Sequence, residues 1–199
     1  MEAAVESVTT SPDGQADVEL MAAVALKDPA AQRALVERLA PRVRRVTRLL
    51  SRSRADADDA LQLALLEVLR SAAGFRVGTS LERWAERIAA RTTLRSARRE
   101  RARRGLLERW LTGDTQPWGE PVTQRGGEPA GLDAFLQRLS PERCHAFVLR
   151  HALDYTVEEI AELTQAPVGT VKDRLVHARK QLRKLVEQDA RRSRRKGDS

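Results

Sequence analysis

Apolar residues recur along this chain at every third or fourth position, and no segment alternates convincingly with a period of two. That is the spacing of helices, not of strands. Asp17 opens a helix containing Leu20, Val24 and Leu26. Asp28-Pro29 reads as a cap followed by proline at the first helical position, leading a second helix with Leu35, Val36 and Leu39. Pro41 starts or kinks a third, whose inner side is Val43, Val46, Leu49 and Leu50. Residues 56–70 form a fourth, with Asp56, Asp58 and Asp59 at the end where the helix dipole favours negative charge and Leu61, Leu65, Val68 and Leu69 as its core stripe. After a loop at 74–80, Leu81, Trp84, Ala85, Ile88 and Ala89 define a fifth helix, running to about residue 104. The composition then breaks. Residues 105–131 hold six of the eleven glycines and three of the eight prolines, the make-up of a linker with at most a short helix near 106–111. A second block begins at Leu132, and Ser140-Pro141 caps a helix carrying Phe147, Val148 and Leu149. The expected fold is all-α, two small helical domains joined by a flexible linker. The expected divisions are a disordered stretch 1–16, a first domain 17–104, the linker 105–131, a second domain 132–190 and an unstructured basic tail 191–199.

Residues 156–180, TVEEIAELTQAPVGTVKDRLVHARK, carry the most information. Thr156 and Glu159 are spaced for a reciprocal capping box. Ile160 and Leu163 give an apolar face, and Ala161 is small where a second helix crosses. Gln165-Ala166-Pro167 interrupts the helix, since proline lacks an amide hydrogen and restricts its predecessor. A second helix follows from about Val168, with Val171, Leu175, Ala178 and Leu182 spaced for burial. Its other face presents Thr170, Lys172, Asp173, Arg174, His177 and Lys180. This is a helix-turn-helix whose second helix suits the major groove.

Charge strengthens that reading. The formal net charge is +8 and the sequence pI about 10.6, a balance suited to nucleic acid. Arg83, Arg87, Arg91, Arg95, Arg99 and Arg103 fall at every fourth position of the fifth helix. This shallow spiral of guanidiniums can follow a phosphate backbone. Phe75 and Trp84 are interleaved with it; Trp84 is read as core. On the fourth helix Asp59, Gln62, Leu63 and Leu66 lie largely off the core stripe, and exposed leucine beside Asp and Gln is the mark of a protein-docking face. The linker has net negative charge, from Glu108, Asp114, Glu120 and Glu128 against Arg109 and Arg125. Cys144 is the only cysteine, so no intrachain disulfide forms and a reducing compartment is expected. No apolar run is long enough to cross a bilayer, and no signal peptide is visible.

Three of these segments, in this order, identify a family. The chain resembles an extracytoplasmic-function (ECF) sigma factor, a minimal sigma-70-type subunit of bacterial RNA polymerase. DADDALQLALLEVLR at 56–70 resembles the family's core-binding helix. FRVGTSLERWAERIAARTTLRSARR at 75–99 resembles its promoter-melting and minus-10-reading segment, and residues 139–185 resemble its minus-35-reading domain. The resemblance implies that Asp56, Asp59, Gln62, Leu63 and Leu66 face the clamp helices of the polymerase β′ subunit. Leu63 stands where the family commonly has an acidic residue. It implies that the loop at 75–80, with Phe75, Arg76 and Ser80, captures a flipped non-template base. There Val77-Gly78-Thr79 departs from the more polar usual sequence. Arg83, Arg87, Arg91 and Arg95 then accompany single-stranded promoter DNA, and the recognition helix reads double-stranded DNA upstream.

The function expected is promoter recognition and opening as a dissociable polymerase subunit, with no cofactor, no small-molecule substrate and a cytoplasmic location. An anti-sigma factor is a further partner that the resemblance allows. The alternative, a stand-alone helix-turn-helix regulator, explains the second domain but neither the fourth helix nor the arginine spiral. An enzyme is disfavoured: Cys144, His145 and His151 are the only nucleophile or metal candidates, and Cys144 and His145 are adjacent and so diverge on a helix.

Overall fold

The computed structural model describes residues 12–76, 78–112 and 132–197, and every regular element among them is helical. Helix α1 spans Pro12–Ala25, α2 Pro29–Leu50, α3 Arg54–Arg70 and α4 Leu81–Thr112, with a short 3-10 turn at Ala72–Gly74 between α3 and α4. Helix α5 spans Leu132–Leu136, α6 Pro141–His151, α7 Val157–Thr164 and α8 Val168–Gly197. Of the linker expected at 105–131, residues 113–131 lie outside the described residues, as does the N-terminal stretch to residue 11.

In the first block α2, α3 and α4 pack on one another, and α1 lies against α2 and the 3-10 turn. Asp28 caps α2, its carboxylate accepting from the Ala31 amide at 2.7 Å. Pro41 neither starts nor separates a helix here; α2 is continuous through it. Proline loses one intrahelical bond, but Leu39 and Val43 on either side are fully buried. Burying those side chains is worth more than the lost bond. Ser53, not an aspartate, caps α3, accepting from the Asp56 amide at 3.0 Å. The inner face of α3 is made largely of small residues, Ala57, Ala60 and Ala64 with Leu61 and Val68, which lets α2 and α4 approach closely.

In the second block α8 is the spine, against which α5, α6 and α7 pack. The capping box at α7 forms as spaced: Thr156 Oγ1 accepts from the Glu159 amide at 3.1 Å, and the Thr156 amide donates to Glu159 at 2.9 Å. Gln165 ends α7 in the left-handed conformation, φ 51°, an unusual place for a residue with a side chain. Ile160, Leu163, Val171, Leu175, Ala178 and Leu182 are all buried.

Three boundaries differ from the sequence expectation, the first being helix α1, which begins at Pro12 and not at Asp17, inside the stretch expected to be disordered. Helix α4 continues past residue 104 to Thr112 through Gly105, and α8 continues through the basic segment to Gly197. A single interior glycine costs a helix only about 1 kcal/mol. Arginine and lysine are good helix formers, and their charge is favourable at a helix C-terminus.

Candidate nucleic-acid and protein interfaces

The recognition helix follows directly from its apolar stripe. With Val171, Leu175 and Ala178 turned into the core, Lys172, Asp173, His177 and Lys180 are exposed, and Thr170 and Arg174 are half-buried at the edge. All six candidate side chains therefore share the outer half of the first turns of α8.

The loop at 75–80 is held at both ends, while Arg76, Gly78 and Thr79 are exposed. Phe75 packs edge-on against Trp84, ring centroids 5.6 Å apart and planes at 79°. Trp84 is itself half-buried against the core. The Arg76 guanidinium turns back to the carbonyls of Ala73 and Phe75, each at 3.4 Å. Gly78 has φ +89°, with open space around it; glycine is needed there for its backbone conformation alone. Ser80 ends the loop: its hydroxyl accepts from the Arg83 amide at 3.3 Å and donates to Glu82 at 3.0 Å. Glu82 is bonded by Arg38 at 2.6 Å, and Arg38 also holds Asp17 of α1 at 2.5 Å. Burial pushes the Glu82 carboxyl up, but its own backbone amide, Arg38 and Ser80 together bring it below the usual range. Three helices thus fix the C-terminal end of this loop.

The arginine spiral of α4 divides. Arg91, Arg95 and Arg99 are exposed, and among the described residues no ion pair involves them. Arg103 and Arg104 both hold Glu100, whose carboxyl the two bonds, Arg103 first, pull down to about 2. Arg83 and Arg87, expected on the same open face, are turned to the second block instead. Arg83 lies over the Tyr155 ring at 3.9 Å and donates to the Leu153 carbonyl at 2.8 Å. Arg87 donates to Glu159 at 3.3 Å and to Glu162 at 3.1 Å. The physical reason is charge: α7 presents Glu159 and Glu162 about one helical turn apart, opposite Arg87 and opposite Arg83, which reaches Glu159 at 3.6 Å besides Glu86 of its own helix at 3.5 Å. Further along, Arg98 bonds Gln165 and the Leu163 carbonyl, and Arg101 pairs with Glu142 of α6.

On α3, Asp59, Gln62, Leu63 and Leu66 are exposed. The two leucines retain 48% and 47% of their surface, so the off-core face read from the sequence is an apolar pair flanked by Asp and Gln. Asp56 is half-buried at the helix start.

Sequence reasoning missed the junction between the blocks. Arg45 donates to the Ala152 carbonyl at 2.9 Å, and Arg52 to that of Gln137 at 2.7 Å. The His145 Nε2–H group donates to the Leu50 carbonyl at 3.0 Å. Burial, then the charge of Arg101, lowers the His145 imidazole from 6.5 to about 4. Tyr155 is fully buried, and its hydroxyl has no hydrogen-bond partner among the described residues. Burial raises its phenol to about 12. A lone tyrosine between two blocks was the one available signal. Cys144 is buried, and among the described residues no group of three or more His, Cys, Asp or Glu could hold a metal ion.

Comparison with known proteins bears directly on these surfaces. The sigma-70 region 2 family model matches residues 35–103, the block of α2, α3 and α4, and the sigma-70 region 4 model matches residues 130–182, the helix-turn-helix block. The ECF RNA polymerase sigma factor SigM of Mycobacterium tuberculosis is 32% identical over 86% of this chain and 85% of its own length. The chain belongs to the ECF sigma factors. SigE of Mycolicibacterium smegmatis, another ECF sigma factor, is 34% identical over 75% of this chain and 59% of its own length. Two solved structures share the fold. One is the sigma factor RpoE in complex with the anti-sigma factor NepR from Bartonella quintana (TM-score 0.53, 24% identity, 76% of this chain and 94% of that one). The other is CnrH in complex with the cytosolic domain of CnrY (TM-score 0.53, 22% identity, 87% and 99%).

This sigma factor binds RNA polymerase and promoter DNA and directs promoter-specific initiation of transcription. The stand-alone regulator is not favoured, because region 2 accounts for the block that reading left without a role. Among the described residues, no helix is long and apolar enough to cross a membrane.

Proposed function

We propose a division of labour within the chain. The exposed α3 face of Asp59, Gln62, Leu63 and Leu66, with Asp56 at its edge, meets the β′ clamp helices of the polymerase. The loop at 75–80 captures an unstacked base of the minus-10 element, with Arg83, Arg87, Arg91 and Arg95 following the opened strand. The outer face of α8, from Thr170 to Lys180, reads the minus-35 duplex. The observation that carries this is the exposure of the outer faces of α3 and α8 and of Arg76 and Ser80, each beside a rigid support: an apolar stripe behind α8, three helices behind Ser80, an alanine-lined core behind α3.

Opening needs no chemistry from this chain. Capturing a base in a fixed loop offsets an unstacking cost of a few kcal/mol per step, and phosphodiester formation belongs to the polymerase. The chain is accordingly read as a non-enzymatic, cytoplasmic subunit of two separately folded domains. The complex of RpoE with the anti-sigma factor NepR supports an anti-sigma factor as a further partner.

Permanganate footprinting tests the division. Lys172→Ala, Arg174→Ala or His177→Ala should shift upstream preference by about 1–3 kcal/mol per lost base contact and leave melting intact on a pre-formed complex. Phe75→Ala or Ser80→Ala should impair melting with upstream protection retained. The reverse pattern would refute it.

A further inference from the structure

Helix α1 reaches both ends of the loop at 75–80 without contributing a residue to it. It packs on the 3-10 turn Ala72–Gly74, whose Ala72 is buried and accepts from the Phe75 amide at 3.1 Å. The outgoing end is reached through side chains. Asp17 of α1 accepts from both terminal nitrogens of Arg38, at 2.5 and 3.5 Å. The same guanidinium gives its Nε and one terminal nitrogen to Glu82 Oε1, at 3.0 and 2.6 Å. Glu82 has its other oxygen on the Ser80 hydroxyl, at 3.0 Å. The arginine fork is planar and rigid, so one side chain fixes two carboxylates from two helices, and the second carboxylate fixes the last residue of the loop. Asp17 keeps only 11% of its side-chain surface. A carboxylate so enclosed has to be paired, and its position therefore sets where Arg38 lies. One turn further along, Arg42 bonds Glu86 at 2.7 Å; that pair joins α2 to α4 with no bond to the loop among the described residues.

Resting on the proposed role of that loop, we infer that α1 is its brace, with Asp17 and Arg38 as positioning residues for base capture. Neither touches the DNA. They act through Glu82 on Ser80, whose hydroxyl also accepts from the Arg83 amide at 3.3 Å and whose carbonyl accepts from the Trp84 amide at 2.9 Å. The point where the loop turns into α4 is thereby set before a base arrives. A loop already held in its binding form loses less conformational freedom on capture, and that saving appears as easier opening. Asp17 lies before residue 35, where the match to region 2 begins. Promoter opening by this chain thus draws on a helix that begins outside that match.

The test is made on the holoenzyme at a promoter it transcribes, with permanganate reactivity reading strand opening and nuclease protection reading upstream binding. Arg38→Gln alone would leave Asp17 enclosed without its partner, so it is combined with Asp17→Asn. The two amides can bond each other where the ion pair stood, and Glu82 loses its guanidinium. D17N/R38Q should lower the opening equilibrium about fivefold, the equivalent of about 1 kcal/mol, with upstream protection and core association retained. Ser80→Ala should lower it as well. In the Ser80→Ala background D17N/R38Q should lower it no further, because residues that act through one another are not additive. Glu82→Gln tests the same link without disturbing Asp17: it puts a donor where Ser80 now finds an acceptor, and its effect should likewise vanish once the Ser80 hydroxyl is gone. Unchanged opening in both D17N/R38Q and Glu82→Gln would overturn the brace. So would losses of the same factor with and without the Ser80 hydroxyl, since these would report a general loosening of the helices. Unimpaired opening by Ser80→Ala would instead overturn the reading of the loop, and the brace with it.

Discussion

Acid should weaken the junction between α2 and α6 through a single side chain. His145 donates from Nε2 to the Leu50 carbonyl, faces Arg101 from α4 and Arg52 from the α2–α3 turn, and has Glu142 on its own helix as the only compensating charge. Its imidazole therefore takes up a proton at about pH 4 in the folded chain, against 6.5 when unfolded. Above pH 6.5 the ring is neutral in both states and contributes no pH dependence. As pH falls from 6.5 to 4 the unfolded chain binds a proton that the folded chain does not, so stability falls; below about 4 the loss is complete. The full difference corresponds to about 3 kcal/mol. Because the residue keeps some solvent contact, about 1–2 kcal/mol is expected. The assay is urea unfolding at pH 7.5 and at pH 4.5, with His145→Gln as the comparison, since an amide donates to the same carbonyl without titrating. Wild type should lose about 1–2 kcal/mol more than the variant over that interval. Glu142 loses stability in the same direction, since Arg101 and its own backbone amide hold its carboxyl below the usual range against the effect of burial, but it does so in both proteins. Equal losses, or an imidazole seen by NMR to titrate near 6.5, would refute the argument.

Two further outcomes follow from the structure. Asp59→Arg with Gln62→Ala should weaken association with core polymerase by about 1–3 kcal/mol, the scale of hot-spot residues, and co-purification at undiminished yield would remove α3 from the interface. Tyr155→Phe deletes a hydroxyl that has no partner, so urea unfolding should show unchanged or slightly greater stability; a loss above about 1 kcal/mol would mean the hydroxyl is bonded after all.

Much of this arrangement was legible in residue order because it is local. The capping box, the turn at Gln165 and the apolar stripe of α8 are all set within a few residues, and each falls where spacing places it. The α3 face was legible for the same reason: Leu63 and Leu66 are out of phase with Leu61 and Val68. What was not legible is pairing over long separations. Arg87 and Glu162, or His145 and Leu50, are 75 and 95 positions apart, and no periodicity links them. Arg83 and Arg87 were grouped with Arg91 and Arg95 because all four share a step of four; Glu159 on α7 had already been accounted for as a capping residue. The alanine face of α3 escaped notice since alanine is a weak burial signal, yet there it decides how closely three helices approach. The two helix ends that run long, α4 past Gly105 and α8 through its basic segment, show propensity and dipole outweighing a break in composition.

Run-off transcription with core polymerase on fragments of the source genome tests the central claim most directly. The account predicts discrete transcripts that require this chain, that start downstream of a shared pair of sequence elements, and that disappear with Asp59→Arg/Gln62→Ala. Transcripts no different from those of core polymerase alone, although the chain is folded and present in excess, would contradict it.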